Sequence, residues 1–570
     1  MHLLGREIIV KMKKISILLL LLAGLWSCTP AAKPSETPGD EPGETNIRGI
    51  IYDDSAKPMA GVIVSDGYQC VKTGADGRFA MESDLDKVKF VSVVQPSGYH
   101  AAVTSGKPQF WKRLGRGDAQ QINGSYQLRF TLNKIKADPE RFSIIIAGDP
   151  QPRAASATYD NFAYHSLDCC EDLWKDISEY ASTISGRPIY GMMLGDIVHE
   201  NMSLYDNYCK SLAKLDFPFY SVIGNHDNDP TAANDDAGAA YFENNLGPRN
   251  YSFNVGKFHV VVLDNLIMRL NSSGQLKDYD QGLTDDIWKW LQNDLSYVDY
   301  STPLIVCAHS PMFMIASGTD RSQTTTTRHG ADYALLLSKY KKVYAWAGHV
   351  HNSFNYVYDA SSKFPNIEVH TVSRATGALW INEWLCEDGT PRGYIVAEAD
   401  GENLSWKFKP IAYQSKTAVG EVPSYKLRDF TFNADGVAMR GGKKLDATYQ
   451  LRAYPRGTYD DKYVYANVFM YDEKWGDVKF TSSKNGSAVM SRVTEKNRKY
   501  DAAYKEVFDF YKASGSALSS SADFKLFDNS GNVATPVTHL FRCYSSAESD
   551  SGTVTVTDRF GNEYSTTVSW

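Results

Sequence analysis

Short runs in which apolar and polar residues alternate fill the chain from about Asn46 to Lys134. IRGIIYDD, KPMAGVIVSDG, TGADGRFAM and KVKFVSVV are separated by Asp-Gly and Pro turn signals. Alternation with period two gives a strand one apolar face, and short strands closed by such turns predict a β-sandwich over residues 46–137. The texture changes over 138–410. FSIIIAGD, PIYGMMLGD, FYSVIGNHD, KFHVVVLD, PLIVCAH and KVYAWAGH read as buried strands. YHSLDCCEDLWKDISEY, NYCKSLAKL, DDIWKWLQNDL and ADYALLLSKY carry apolar residues three or four apart, as amphipathic helices do. Strands mixed with helices predict a layered α/β or α+β domain there. From 411 to 570 the β texture returns, interrupted by one helix, DAAYKEVFDFYKAS, and closed by a hairpin in TVTVTDRFGNEYSTTVSW. There is no repeat at a solenoid period and no heptad pattern.

The N-terminal segment obeys different rules. Lys11, Lys13 and Lys14 precede an apolar run from Ile15 to Trp26, too short for a stable membrane span but of the length and charge of an export signal. Leu25-Trp26-Ser27-Cys28 resembles a bacterial lipobox, which implies cleavage before Cys28 and a lipid on that cysteine. Residues 1–28 are therefore expected to be a signal peptide. Residues 29–45, TPAAKPSETPGDEPGET, read as a flexible Pro/Glu/Thr linker. The expectation is an exported lipoprotein of the bacterial cell envelope, facing the periplasm or the surface. Its membrane leaflet and oligomeric state are left open by the sequence.

Composition excludes several classes. With 570 residues, 43% hydrophobic and 22% charged, the chain is neither disordered nor a polytopic membrane protein. A net charge of −7 removes the broad basic surface that nucleic-acid binding needs, so no nucleic-acid partner is expected. The eight cysteines contain no C-x-x-C pair, and a lipidated Cys28 leaves an odd number, which argues against a disulfide framework or a thiolate zinc site.

The chemistry lies at the ends of the central strands. In order the chain presents Asp149-Pro150-Gln151, Gly195-Asp196, Gly224-Asn225-His226-Asp227, Ala308-His309 and Gly348-His349-Val350-His351. Any one of these is an ordinary turn or cap. His349 and His351 are more telling, because residues i and i+2 of an extended segment face one side and can deliver two imidazoles to neighbouring ions. Five such pieces, each following a strand, place Asp, Asn, Gln and His donors along one sheet edge.

This series resembles the calcineurin-like metallophosphoesterases, whose pattern is D-x-H, G-D, G-N-H-D/E, a lone H and G-H-x-H. The flanking regions resemble the transthyretin-like or carboxypeptidase-regulatory sandwich and the C-terminal accessory domain of bacterial members. The resemblance implies an α+β multidomain protein with a four-layer α/β/β/α core, an N-terminal β-sandwich and a C-terminal β-rich domain. It implies two divalent metal ions, Mn, Fe, Zn or similar, one held by Asp149, Gln151, Asp196 and His351 and the other by Asp196, Asn225, His309 and His349, with Asp196 bridging. Gln151 stands where many members have His, and its amide oxygen tilts that site towards Mn²⁺ or Fe²⁺.

The charge balance supports the same reading. Two dications against two carboxylates and a hydroxide leave about one positive charge, a cationic pocket for phosphate in an acidic protein. Water activated by the two ions attacks phosphorus, and no protein nucleophile is needed. His226 cannot easily ligate beside Asn225, since adjacent side chains diverge. It is assigned to the departing oxygen, with Asp227 orienting it. The expected activity is hydrolysis of a phosphomonoester or phosphodiester, the substrate a small molecule or a phosphorylated envelope glycan or lipid. A rival from another class is an inactive, lipid-anchored binding protein on the same scaffold. His199, His259, His370, Arg328, His329, Arg374, Trp380, Trp384 and the Cys169-Cys170 pair read as structural; the alternatives are His199 behind the ligands, Arg328 and His329 on a substrate phosphate, and Arg374, Trp380 and Trp384 at the cleft edge.

Overall fold

The computed structural model describes residues 45–153, 160–312, 314–315, 323–324, 327–357, 364–378, 385–414, 426–494, 497, 499–513 and 525–570. The expected export signal, Cys28 and nearly all of the linker lie outside the described residues, as do Trp380 and Trp384.

The middle of the chain forms two sheets. In chain order their strands are β1 (Arg141–Ala147), β2 (Ile189–Met193), β3 (Phe219–Ser221), β4 (Tyr251–Val255), β5 (Phe258–Leu263), β6 (Leu304–Ala308), β7 (Val343–Ala347), β8 (Asn355–Val357), β9 (Ile367–Thr371), β10 (Gly393–Asp400) and β11 (Asn403–Pro410). The first sheet runs β3-β2-β1-β10-β11 and the second β4-β5-β6-β7-β9-β8. Helices α1 (Asp160–Ser182), α2 (Tyr205–Leu212), α3 (Asp285–Leu295) and α4 (Gly330–Leu337) accompany them. The start of α3 illustrates local encoding: Thr284 accepts the Ile287 N–H at 3.2 Å, and Asp285 and Asp286 place negative charge in the first turn.

Period-two alternation explains the layering. Ile144 and Ile146 of β1 join Val260 and Val262 of β5 and Ile305 and Cys307 of β6 in one core between the sheets. The alternate residues face outward: Ile145 and Ala147 meet Leu173, Trp174 and Ile177 of α1 and Leu212 of α2. On the other side Val261, Leu263, Val306 and Ala308 meet Trp290, Leu291 and Leu295 of α3 and Tyr333 and Leu337 of α4. Strands buried on both faces must be apolar throughout, which is why the sequence runs are continuous rather than alternating. The architecture is a four-layer α/β/β/α core within an α+β multidomain chain. Burying each large apolar side chain contributes about 1.5–3 kcal/mol.

Strands β1, β2 and β3 are mutually parallel, and so are β5, β6, β7 and β9. Parallel pairing aligns strand C-termini, so the turns that follow β1, β2, β3, β6 and β7 gather at one edge.

The N-terminal region contributes a five-stranded and a four-stranded sheet. It is keyed to the core by Trp290 Nε1 donating to Ser65 Oγ at 2.9 Å and Gln95 Nε2 donating to Tyr220 Oη at 2.7 Å. The C-terminal region has two four-stranded sheets, and its last hairpin pairs Ser551–Thr557 with Glu563–Ser569. Arg559, in the turn of that hairpin, and Lys474 reach Glu368 on β9 at 2.7 and 2.9 Å.

Candidate metal centre

All seven expected ligands meet at the aligned strand ends. Asp149, Gln151, Asp196, His349 and His351 have φ of 54°, 38°, 50°, 68° and 61°. For residues with a Cβ this left-handed backbone costs about 1–2 kcal/mol each and persists only where surrounding contacts over-determine it. The glycines of the motifs permit close approach. A Cβ on Gly348 would lie 2.3 Å from Asp149 Oδ2, and one on Gly224 2.3 Å from Asp196 Oδ1.

One donor set is tightly closed. Asn225 Oδ1 lies 3.2 Å from His309 Nε2 and 3.1 Å from His349 Nδ1, and those two ring nitrogens are 3.2 Å apart. Asp196 Oδ2 is 3.3 Å from His309 Nε2. Donors about 2.1 Å from a common ion stand about 3.0 Å apart in an octahedral shell and about 3.4 Å apart in a tetrahedral one. Their outer contacts fix the tautomers. His309 Nδ1 donates to the Leu194 carbonyl at 2.7 Å, which leaves the Nε2 lone pair facing inward, and His349 Nε2 meets Tyr279 Oη at 3.1 Å. Two imidazole lone pairs and an amide oxygen converging on one point are mutually repulsive until a cation joins them, so these residues fit a divalent ion.

The second donor set is looser. His351 Nε2 is buried, makes no hydrogen bond among the described residues, and sits 3.6 Å from Asp149 Oδ1. Gln151 Nε2 donates to Asp196 Oδ2 at 2.5 Å, and a half-turn of its amide presents Oε1 instead. Asp196 Oδ2 therefore borders both sets. Asp149 is fixed from two sides: its carboxylate accepts the His349 N–H at 3.0 Å, and its carbonyl accepts Arg374 Nε at 3.2 Å.

The electrostatics express the same demand for positive charge. Burial, only partly opposed by His309, pushes the Asp149 carboxyl up to about 7. Burial also disfavours a charged His309, but Asp196 and Asp149 outweigh it and hold that imidazole at about 10. Burial, followed by the His309 charge, presses His349 down to about 3. The cluster thus holds a second proton on His309, at the Nε2 that would otherwise offer its lone pair to a cation.

His226 lies beside this cluster without joining either set. Its backbone N–H donates to Asp196 Oδ1 at 3.0 Å, and its ring lies against that of His199, tilted by 37° with centroids 4.2 Å apart. The expected pairing with Asp227 is not what the structure shows. Asp227 is wholly buried, and its two oxygens accept the Gly224 N–H at 2.7 Å and the Val198 N–H at 3.1 Å, tying two ligand turns together. Asn225–Asp227 forms a tight 3-10 turn, where successive side chains diverge. The carboxylate facing His226 is Glu200, 3.4 Å from Nδ1, and its other oxygen is paired with Lys277 at 2.5 Å. His199, Glu200 and His226 have the makings of a further metal group. The Lys277 ammonium already supplies the positive charge there, so the cluster reads as a support for His226.

Glu200, Lys277 and Tyr279 went unnoticed in the sequence. Glu200 lies four residues beyond Asp196 with φ 53°, and the other two come from a hairpin, Leu266–Leu270 with Leu276–Gln281. Arg374 is buried behind the Asp149 turn, in the structural role expected of it. Three other histidines are structural: His259 pairs with Asp294 at 3.0 Å, His370 with Glu368 at 3.3 Å, and His329, like Arg328, with Asp285.

Family matches cover all three regions of the chain. Residues 142–353 match the Calcineurin-like phosphoesterase family, residues 45–134 the N terminal of Calcineurin-like phosphoesterase, and residues 370–564 the C terminal of Calcineurin-like phosphoesterase. A protein of Arcobacter nitrofigilis named as a probable glycerophosphodiester phosphodiesterase is 27% identical over 192 residues, 33% of this chain. The match spans 66% of that relative's length. Among solved structures, a purple acid phosphatase from yellow lupin is 17% identical with a TM-score of 0.35, covering 65% of this chain and 73% of its own. The Bacillus subtilis calcineurin-like phosphoesterase YfkN is 13% identical with a TM-score of 0.27, covering 50% and 93%. Calcineurin-like phosphoesterases use divalent metals, and the Asp149, Asp196 and His309 donors lie within 4.8 Å of one another. The three family matches together take in most of the chain, which belongs to the calcineurin-like phosphoesterases, hydrolases acting on phosphoric ester bonds.

Proposed function

We propose that the chain hydrolyses a phosphomonoester or phosphodiester at a two-ion centre. One ion is held by Asp149, Gln151, Asp196 and His351, and the other by Asp196, Asn225, His309 and His349. The observation that carries this reading is the convergence of Asn225 Oδ1, His309 Nε2 and His349 Nδ1 within 3.2 Å of one another. When bound, the ions supply Lewis acidity and lower the pKa of water, and the oxygen-rich set with Gln151 favours Mn²⁺ or Fe²⁺.

The chain's own residues do the rest. Asp149 and Asp196 would neutralise about half of the cation charge, leaving enough to hold phosphate. The Leu194 carbonyl keeps the His309 proton on Nδ1, and Tyr279 orients His349. Glu200 engages His226 Nδ1, so Nε2 is the atom that gives its proton to the departing oxygen. The diesterase named among the relatives supports including diesters in the substrate class. The substrate is a small phosphoester or a phosphorylated envelope glycan or lipid, and the protein is exported and anchored through a lipid on Cys28. Fatty-acid labelling of the wild type, lost in Cys28→Ser, tests the anchor.

The activity is tested with metal-depleted protein on p-nitrophenyl phosphate and bis-p-nitrophenyl phosphate. Turnover of either ester that returns with added Mn²⁺ supports the reading. Stoichiometric metal uptake without turnover on both esters would make the protein a binder on a phosphoesterase scaffold.

A further inference from the structure

The polypeptide leaving His351 is gripped at once, and the grip traces back to the C-terminal domain. Ser353 N–H donates to Asp388 Oδ2 at 2.8 Å, and Asn355 Nδ2 donates to the carbonyls of Met470 and Tyr471 at 2.9 and 3.1 Å. Asp388 is 1% exposed and lies on the turn between β9 and β10. C-terminal side chains enclose that turn. His539 Nε2 meets Asp388 Oδ2 at 3.1 Å, Asn467 Nδ2 donates to the Asp388 carbonyl at 2.8 Å, and Arg452 Nη1 donates to the Gly389 carbonyl at 3.3 Å. The opposite nitrogen of His539 is 2.6 Å from Asn467 Oδ1, and Asn467 Nδ2 also donates to Asp501 Oδ2 at 2.9 Å. Each of these groups fixes the next.

None of these side chains touches the metal donors. A domain that merely docked could do so through apolar contacts, without the desolvation cost of burying polar groups. A buried polar set paired through Asp388, His539 and Asn467 instead imposes direction. Its end point is the Ser353 N–H, two residues beyond His351, where His349 and His351 hold left-handed backbone that needs outside support.

We propose that the C-terminal domain positions the metal centre: His539 and Asn467 fix Asp388, and Asp388 fixes the segment that presents His349 and His351. These are positioning residues, and the inference rests on reading His349 and His351 as ligands. The test is a Mn²⁺ titration followed by electron paramagnetic resonance on the full chain, with folding checked by circular dichroism. Asp388→Ala weakens Mn²⁺ binding about tenfold and His539→Gln less, in the same direction, with turnover restored by excess Mn²⁺. Arg559→Met breaks a different contact between the same domains, so it lowers the melting temperature and keeps the affinity. Folded Asp388→Ala and His539→Gln proteins with wild-type affinity overturn the proposal, as does an equal loss in Arg559→Met. If Asp388→Ala does not fold, His539→Gln decides. A wild type that binds Mn²⁺ but hydrolyses nothing refutes the proposed activity and leaves this comparison intact, whereas a wild type that takes up no Mn²⁺ overturns both.

Discussion

Gly224→Ala isolates the role of close packing at the centre. Gly224 has φ −110°, open to any residue, so the added methyl group brings no backbone strain. It brings collision. The Cβ would lie 2.3 Å from Asp196 Oδ1 and 2.4 Å from the Asp196 backbone nitrogen. Non-bonded contacts relax towards about 3.5 Å, so relief requires a shift of about 1 Å. Neither partner is the loose end of a long side chain. The Asp196 carboxylate is held by the His226 N–H and Gln151, and Asp227 ties the Gly224 and Val198 turns together. Overpacking of this kind costs about 1–3 kcal/mol of stability. The displaced group also borders both donor sets, and misplacement by about 1 Å costs on the order of 100-fold in rate. Gly224→Ala should therefore fold, melt at lower temperature, and lose about 100-fold in kcat/KM on bis-p-nitrophenyl phosphate, with reduced metal content. Gly401→Ala is the contrast: its φ is +60° and nothing lies within 4 Å of the new methyl group. It should lose about 1 kcal/mol of stability and no activity. Wild-type kcat/KM and metal content in folded Gly224→Ala would refute the reasoning, and equal losses in both variants would make the effect global.

Two further outcomes follow from the polar contacts. Glu200→Gln should retain its metal and lose about 10- to 100-fold in kcat on alkyl phosphoesters, whose leaving oxygen needs a proton, with little loss on p-nitrophenyl esters. A uniform loss across leaving groups would remove His226 from that role. Glu368 is buried among His370, Arg559, Lys342 and Lys474, and despite burial the hydrogen bonds from His370 and Arg559 hold its carboxyl far below the usual range. A depressed folded-state pKa contributes stability that is fully present above the unfolded value of about 4.3 and is lost as pH falls below it. Melting temperature should thus fall more steeply below about pH 4.3 in the wild type than in Glu368→Gln, and parallel curves would contradict this.

Much of the fold was legible because its physics is local. FSIIIAGD and KFHVVVLD had to be strands covered on both faces, and α3 matches DDIWKWLQNDL residue for residue. The donor residues were legible because each follows a strand, and parallel pairing leaves such turns nowhere to go but one edge. What the sequence hid depends on direction rather than position. Asp227 is adjacent to His226, yet a 3-10 turn sends its carboxylate into the backbone of a neighbouring loop. Glu200, whose own backbone is left-handed, reaches His226 from four residues beyond Asp196. Tyr279 and Lys277 arrive on a hairpin remote from every motif, and the Asp388–His539–Asn467 chain joins residues 72 to 151 positions apart. No spacing rule encodes contacts of that kind.

The most direct test of the centre is the metal content of the full chain, loaded with Mn²⁺, dialysed and measured by inductively coupled plasma mass spectrometry. The account predicts about two equivalents in the wild type, about one in Asn225→Ala and in His351→Ala, and close to none in Asp196→Ala. A wild type without metal, or an Asp196→Ala protein that retains the full complement, would contradict it.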